Sequence, residues 1–447
     1  MVQHVSRRFL VLAIAMIGLA TIAFGQKSSK APIIIIPGLT GSELVNSETD
    51  EHVWFKPSRS KDDDIRLPIS PVLVRNRDKL VPKDIIRAVS FVKFLPEVEI
   101  YSELINSLEK RAGYVEGKWD DPPEAGHEST FYVFAYDWRR DNVENARLLV
   151  QKIESLKRKL GRPDLKFNIV AHSMGGLISR YAAMYGNADI SGRMRPTWAG
   201  AKHLDRIFLL GTPNEGSIAA LDAMLNGFSY FGRGINVPFV RDISRFDVFT
   251  IPSMFELLPQ NGALRILDEG FKPLKIDLYD PTTWDEYGWN VWDDKDFGKK
   301  FDFIEQEQAR PYFRVVLKRA RDFQAALNAS SNTKPPVSFY LIGAECKDTL
   351  NAAIIYRKKD RWKMIFTPES FERSDGTKVP EEQVRRMIIG GGDGVVPIES
   401  LKAEHSGGPK NMPIAGELRQ CESHAKLVTN PAIQDRLFAL LFGGAIE

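Results

Sequence analysis

Residues 33–36 are four consecutive isoleucines, set between Pro32 and the pair Pro37-Gly38. A strand that is β-branched and apolar on both faces offers neither face to water, so it belongs inside a sheet covered on both sides. Such sheets are parallel, and parallel strands need long crossovers, usually helical. The chain provides both parts. Further short apolar runs lie at 131–136, 167–170, 206–210 and 337–342. Between them, residues 142–159 repeat Leu148, Leu149, Ile153 and Leu156 at helical spacing, and a helix over about 175–185 follows the third run directly. The expected fold class is α/β, a mostly parallel central sheet flanked by helices.

Two stretches break this alternation. Residues 46–97 carry the charged run Lys61-Asp62-Asp63-Asp64, and residues 225–310 are rich in Phe, Trp, Tyr, Gly and Asp without clean periodicity. Excursions of this length inside a compact domain are more often functional than idle, the alternative being helices whose pattern is obscured. They read as a lid-like excursion (46–97) and a cap insertion (225–310) in one catalytic domain covering 26–447. Two cysteines exclude a disulfide scaffold or a Cys-rich zinc module. A balance of 61 − 58 = +3 argues against a nucleic-acid partner.

The first 25 residues read as an address. Arg7 and Arg8 precede an unbroken run of apolar and small residues from Phe9 to Gly25, before polar residues begin at Gln26. That is the pattern of a secretory signal peptide, with an uncleaved N-terminal anchor as the rival, so an exported protein is expected. Without residues 1–25 the balance becomes 59 − 58 = +1, so contact with a membrane surface would rest on apolar cap and lid surface rather than charge. In an oxidising compartment Cys346 and Cys421 become candidates for a disulfide, two buried thiols being the alternative.

Chemistry concentrates at Ala171-His172-Ser173-Met174-Gly175-Gly176, where a strand meets a helix. A serine at such a turn sits at a strained apex, and small residues two before and two after it let strand and helix approach. Ser173 is the candidate nucleophile, and a serine helix cap is the bland reading. A hydroxyl needs a base, and the base an orienting carboxylate, here in the order serine, acid, histidine. His424, just before a terminal helix over about 431–441, is the preferred base over His405. Asp393, inside Gly390-Gly391-Gly392-Asp393-Gly394-Val395-Val396-Pro397, is the preferred acid over Glu345 and Asp348. The oxyanion hole is expected from the amides of Met174 and Leu39, the latter in the loop after the first strand. This chemistry requires neither metal nor organic cofactor.

Taken together, these segments resemble the lecithin:cholesterol acyltransferase family, which includes lysosomal phospholipase A2 and bacterial relatives. The resemblance also rests on Pro37-Gly38-Leu39-Thr40-Gly41-Ser42-Glu43-Leu44, Tyr136-Asp137-Trp138-Arg139, Gly211-Thr212-Pro213-Asn214-Glu215-Gly216-Ser217 and Pro252-Ser253-Met254-Phe255-Glu256-Leu257-Leu258-Pro259. It implies an α/β-hydrolase core with a cap and a lid, and acyl-ester chemistry on lipids through an acyl-serine intermediate. Ser173, Asp393 and His424 match the family's triad, and Leu39 and Met174 its oxyanion amides. Two features depart from it: Ala171 stands where the general motif has Gly, and the 46–97 excursion lacks the cysteines that close the animal enzymes' lid. The expected function is a serine-dependent acyl-ester hydrolase or O-acyltransferase on lipids. A carboxylesterase for small soluble esters and a catalytically dead lipid-binding protein are the alternatives. In the cap, Phe228, Tyr230, Phe231, Trp284, Trp289 and Trp292 are candidates to line an acyl pocket, or else to pack the cap's own core.

Overall fold

The computed structural model describes residues 30–56, 65–89, 98–122, 129–228, 242–260, 262–263, 265–406 and 412–442. Residues 1–25, Lys61 to Asp64, Tyr230 and Phe231 lie outside them. The elements that position the site are β1 (Ile33–Ile36), α1 (Ser102–Lys110), β2 (Val115–Glu116), β3 (Thr130–Val133), α2 (Asn142–Lys159), β4 (Phe167–His172), α3 (Met174–Tyr185), β5 (Leu204–Leu210), α4 (Phe303–Leu327), β6 (Ser338–Gly343), β7 (Ile414–Arg419) and α5 (Pro431–Leu441).

The seven strands form one sheet in the order β7-β6-β5-β4-β1-β3-β2, parallel throughout. The isoleucine strand is central, with Ile35 opposite Val133 on one side and Val170 on the other. Its four side chains are 0–1% exposed, each burial contributing about 1.5–3 kcal/mol. Ile34 and Ile36 point into one core and Ile33 and Ile35 into the other, as a period of two requires.

α2 is capped by Asp141, which accepts from the Val143 amide, and it ends in Lys157, Arg158 and Lys159, cations favourable at a helix C-terminus. Its apolar face packs on α3, every residue of which is buried. A helix without a solvent face belongs in a core, and α3 is held between the sheet, α2 and α4. The sequence reading and the structure differ at the end of the 131–136 run: β3 stops at Val133, the Phe134 amide makes a last bond to the Ile35 carbonyl, and residues 135–136 continue outside the strand although Tyr136 is fully buried. The strands β2 and β7 carry too few apolar residues to announce themselves.

Both excursions have internal order. Ser42–Asn46 pairs with His52–Trp54 and Leu80–Ile85 in a three-stranded sheet. Within 225–310 lie the short helices Arg245–Phe249, Pro252–Glu256, Pro281–Tyr287 and Phe297–Lys300 and the start of α4. Trp284 and Trp289 are 2% and 6% exposed, and Trp284 and Trp292 both meet Phe313 of α4 edge-on. Trp284 and Trp289 belong to the core, and Trp292 is half-buried against it. Phe228 is half-buried and packs against the same core.

A third excursion, unmarked in the sequence reading, leaves the sheet after β6. Its stem is an antiparallel pair, Lys347–Leu350 with Ile389–Gly392, and it carries the hairpin Ala353–Lys358/Arg361–Ile365. Among the described residues no helix is long and apolar enough to cross a membrane.

Candidate active site

The carboxyl ends of β1 and β4, the excursion stem after β6 and the loop after β7 bring the predicted residues to one edge of the sheet. Ser173 follows β4 with φ 52° and ψ −127°, a left-handed conformation that costs a non-glycine residue about 1–3 kcal/mol. It is held there by its amide, which donates to the Leu210 carbonyl at 2.8 Å. Its side chain caps no amide of α3, so the bland reading of this serine fails. Ala171 is fully buried, in register with Ile36 and Leu209. Alanine therefore fits where the general motif has glycine.

The loop after β1 lies against the serine. A Cβ on Gly38 would stand 2.8 Å from Ser173 Cβ, so only glycine allows this approach. The Gly38 amide is engaged by the Tyr101 hydroxyl at 2.9 Å, and Leu39 follows it, half-exposed. The Tyr136 hydroxyl braces the same loop by donating to the carbonyls of Pro37 and Gly38 at 2.9 and 3.2 Å. The Tyr-Asp-Trp-Arg segment thus has a visible job. Arg139, with no exposed surface, pairs with Asp137 and Asp78 and anchors the turn behind this brace.

Asp393 and His424 meet through Oδ2 and Nδ1 at 2.7 Å. Asp393 is 2% exposed, and its Oδ1 accepts from the amides of Val395 and Val396 at 3.0 and 2.8 Å. Burial alone would raise its pKa. The charge and hydrogen bond of His424, with the two amides, outweigh that and hold it below the ordinary carboxylate value. The His424 amide also donates to the Asp393 carbonyl at 2.8 Å. A Cβ on Gly211, at the end of β5, would come within 2.9 Å of Asp393 Oδ2 and 3.0 Å of His424 Nδ1, so the pair is packed onto the sheet edge.

The rival residues are engaged elsewhere. Glu345 pairs with Arg419 at 2.7 Å and Asp348 with Arg385, both on the outer surface. His405 bonds buried Glu215 at 3.0 Å. Cys346 and Cys421 are bonded, tying the root of the excursion that carries Asp393 to the loop that carries His424.

Two residues of this site had no assigned role in the sequence reading. His172 lies within the serine motif and Tyr101 is 72 positions upstream of Ser173, with no local pattern to mark it. Both are buried, and they contact each other at 2.9 Å.

A central parallel sheet, a serine at a strained strand–helix turn and an Asp–His pair on the following loops define an α/β-hydrolase fold. Over 92% of this chain and 97% of its own length, a chain of the Tle4–Tli4 complex superposes with a TM-score of 0.56 at 15% identity. The model of the lecithin:cholesterol acyltransferase family matches residues 87–270. That segment includes Ser173 and Met174 and stops short of Asp393 and His424.

Two Arabidopsis thaliana proteins show the same distant homology. Phospholipase A(1) LCAT3 is 26% identical over 265 residues, 52% of this chain and 53% of that protein. Lecithin-cholesterol acyltransferase-like 4 is 25% identical over 252 residues, 51% and 42% of the two. The chain spans about half the length of these relatives.

Proposed function

We propose that the protein is a serine-dependent acyl-ester hydrolase or O-acyltransferase acting on lipids, of the phospholipase A or lecithin:cholesterol acyltransferase type. The observation that carries this reading is the 2.7 Å Asp393–His424 pair on the sheet edge that holds Ser173 in its left-handed turn. His424 takes the Ser173 proton as the oxygen attacks the ester carbonyl. Asp393 keeps the proton on Nδ1, leaving Nε2 free to accept, and steadies the imidazolium that forms. The amides of Met174 and Leu39 receive the negative charge of the tetrahedral intermediate. The alcohol part of the ester leaves with the proton returned by His424. Water or a second alcohol then clears the acyl-serine.

The family match and the two plant relatives support a lipid ester as substrate. The test is incubation of the pure protein with a phospholipid and a long-chain alcohol, with products identified by mass. Free fatty acid marks a hydrolase and a fatty ester a transferase, and Ser173→Ala abolishes both. Turnover of short p-nitrophenyl esters without any attack on phospholipid vesicles would replace the lipid reading with a small-ester one. Ester turnover surviving in Ser173→Ala would overturn the mechanism.

A further inference from the structure

The catalytic pair is attached to the loop after β1 by a chain of three hydrogen bonds that the proposed mechanism does not use. His172 Nε2 lies 3.1 Å from the backbone carbonyl of His424. A carbonyl can only accept, so Nε2 carries the proton. Burial, and secondarily the positive charge of nearby His424, push the His172 pKa down to about 3, so the ring is neutral and its Nδ1 is an acceptor. The Tyr101 hydroxyl, 2.9 Å from that Nδ1, must then donate to it, and its oxygen accepts the Gly38 amide at 2.9 Å. Every bond in the chain therefore has one allowed direction: Gly38 N–H to Tyr101, Tyr101 O–H to His172, His172 N–H to His424.

Tyr101 is itself fixed. It stands at the N-terminus of α1, its amide donates to the Arg87 carbonyl at 3.1 Å, and its ring meets His172 edge-on. The His172 and His424 rings lie 4.8 Å apart between centroids. The His424 backbone is consequently pinned on both sides, by the Asp393 carbonyl at its N–H and by His172 at its C=O. Gly38 immediately precedes Leu39 and touches Ser173, so the same chain sets the loop that faces the nucleophile.

We propose that Tyr101 and His172 are positioning residues, which hold the base His424 and the Gly38-Leu39 loop in mutual register around Ser173. This rests on the serine-hydrolase reading above. Neither side chain needs to touch substrate. Loss of either leaves the Ser173, His424 and Asp393 side chains in place but lets the base and the oxyanion loop move independently, which weakens the transition state more than substrate binding.

The experiment compares Ser173→Ala, Tyr101→Phe, His172→Gln and His172→Phe with the unaltered full chain. The readouts are fluorophosphonate titration of Ser173 and turnover of a p-nitrophenyl ester per titrated site. Tyr101→Phe removes one hydroxyl and is expected to lower kcat per titrated serine about tenfold or more, with KM within about twofold. A glutamine at 172 can still donate to the His424 carbonyl, so His172→Gln is expected to keep several-fold more kcat than His172→Phe. A residue that only supports folding would lower the number of titratable serines and leave kcat per site unchanged. Full kcat per site in Tyr101→Phe, or equal rates in the two His172 variants, would overturn the proposal. If Tyr101→Phe yields no titratable serine, the His172 pair decides alone. Labelling or turnover in Ser173→Ala would instead overturn the parent reading.

Discussion

Asp393→Asn is nearly isosteric, and the structure dictates which way the amide must face. Oδ1 receives two backbone donors, Val395 at 3.0 Å and Val396 at 2.8 Å. Turning the new NH2 toward them would set donor against donor in a buried site, so the asparagine oxygen stays there and the NH2 points at His424 Nδ1. That nitrogen, 2.7 Å away, must now accept, which moves the imidazole proton to Nε2 and removes the lone pair that takes the Ser173 proton. An asparagine in the equivalent role of a serine protease lowers kcat by about 10⁴ through this wrong tautomer. At about 1.36 kcal/mol per decade the same loss here is about 5.4 kcal/mol of transition-state stabilisation. The assay is kcat/KM on a p-nitrophenyl ester from pH 5 to 9, normalised to titrated serine. A variant within tenfold of the parent across that range would refute the reasoning and reopen Glu345 and Asp348 as the acid. Stability gives a second readout. The folded pKa of Asp393 is depressed, so its contribution is present above about pH 3.9 and is lost as pH falls through the folded value. The destabilisation by Asn is therefore expected at neutral pH and should vanish in strong acid.

Other side chains yield expectations of different kinds. The Cys346–Cys421 bond closes a loop with a separation of 75 residues, for which chain entropy gives about 4.5 kcal/mol, an upper figure that Cys421→Ser should approach in denaturant melts. The variant should also lose activity at temperatures where the rest of the fold persists, because the bond holds the root of the Asp393 excursion to the His424 loop. Arg139→Ala strands the carboxylates of Asp137 and Asp78 beside a vacated buried site and is expected to cost about 3–5 kcal/mol, measured by urea unfolding. Glu256 is fully buried near Asp141, and burial first, then that charge, raises its pKa well above the ordinary value. Its contribution to stability is complete below about pH 4.3 and is lost as pH rises through the folded pKa, so Glu256→Gln should gain in melting temperature relative to the parent with rising pH. A difference in melting temperature that stays flat between pH 4 and 8 would contradict this.

What the sequence determined by itself is what local chemistry encodes. Four isoleucines in a row admit no wet face, and Ser173 between a short apolar strand and a helix opening on Gly175-Gly176 admits few turns, so the parallel sheet and the strand–helix turn at Ser173 were legible from short windows. The helices at 142–159 and 431–441 were read to the residue, since periodicity, an Asp or Asn cap and a terminating turn coincide there. The strand β7 and the excursion between β6 and Asp393 were not legible. The first is half-buried and mixed in polarity, and the second is held by a stem whose strands, Lys347–Leu350 and Ile389–Gly392, pair across about 40 residues of intervening chain.

Only the tertiary structure shows which acid meets which histidine. Spacing along the chain could not tell that Glu345 and Asp348 turn outward to arginines while Asp393 turns inward to His424. Tyr101 shows the same limit most plainly: nothing within ten residues marks it, and its contacts exist only because the loop after β1 and the end of β4 converge on its hydroxyl. Helical and strand periods are properties of neighbours in sequence, whereas a hydrogen-bonded site is a property of neighbours in space.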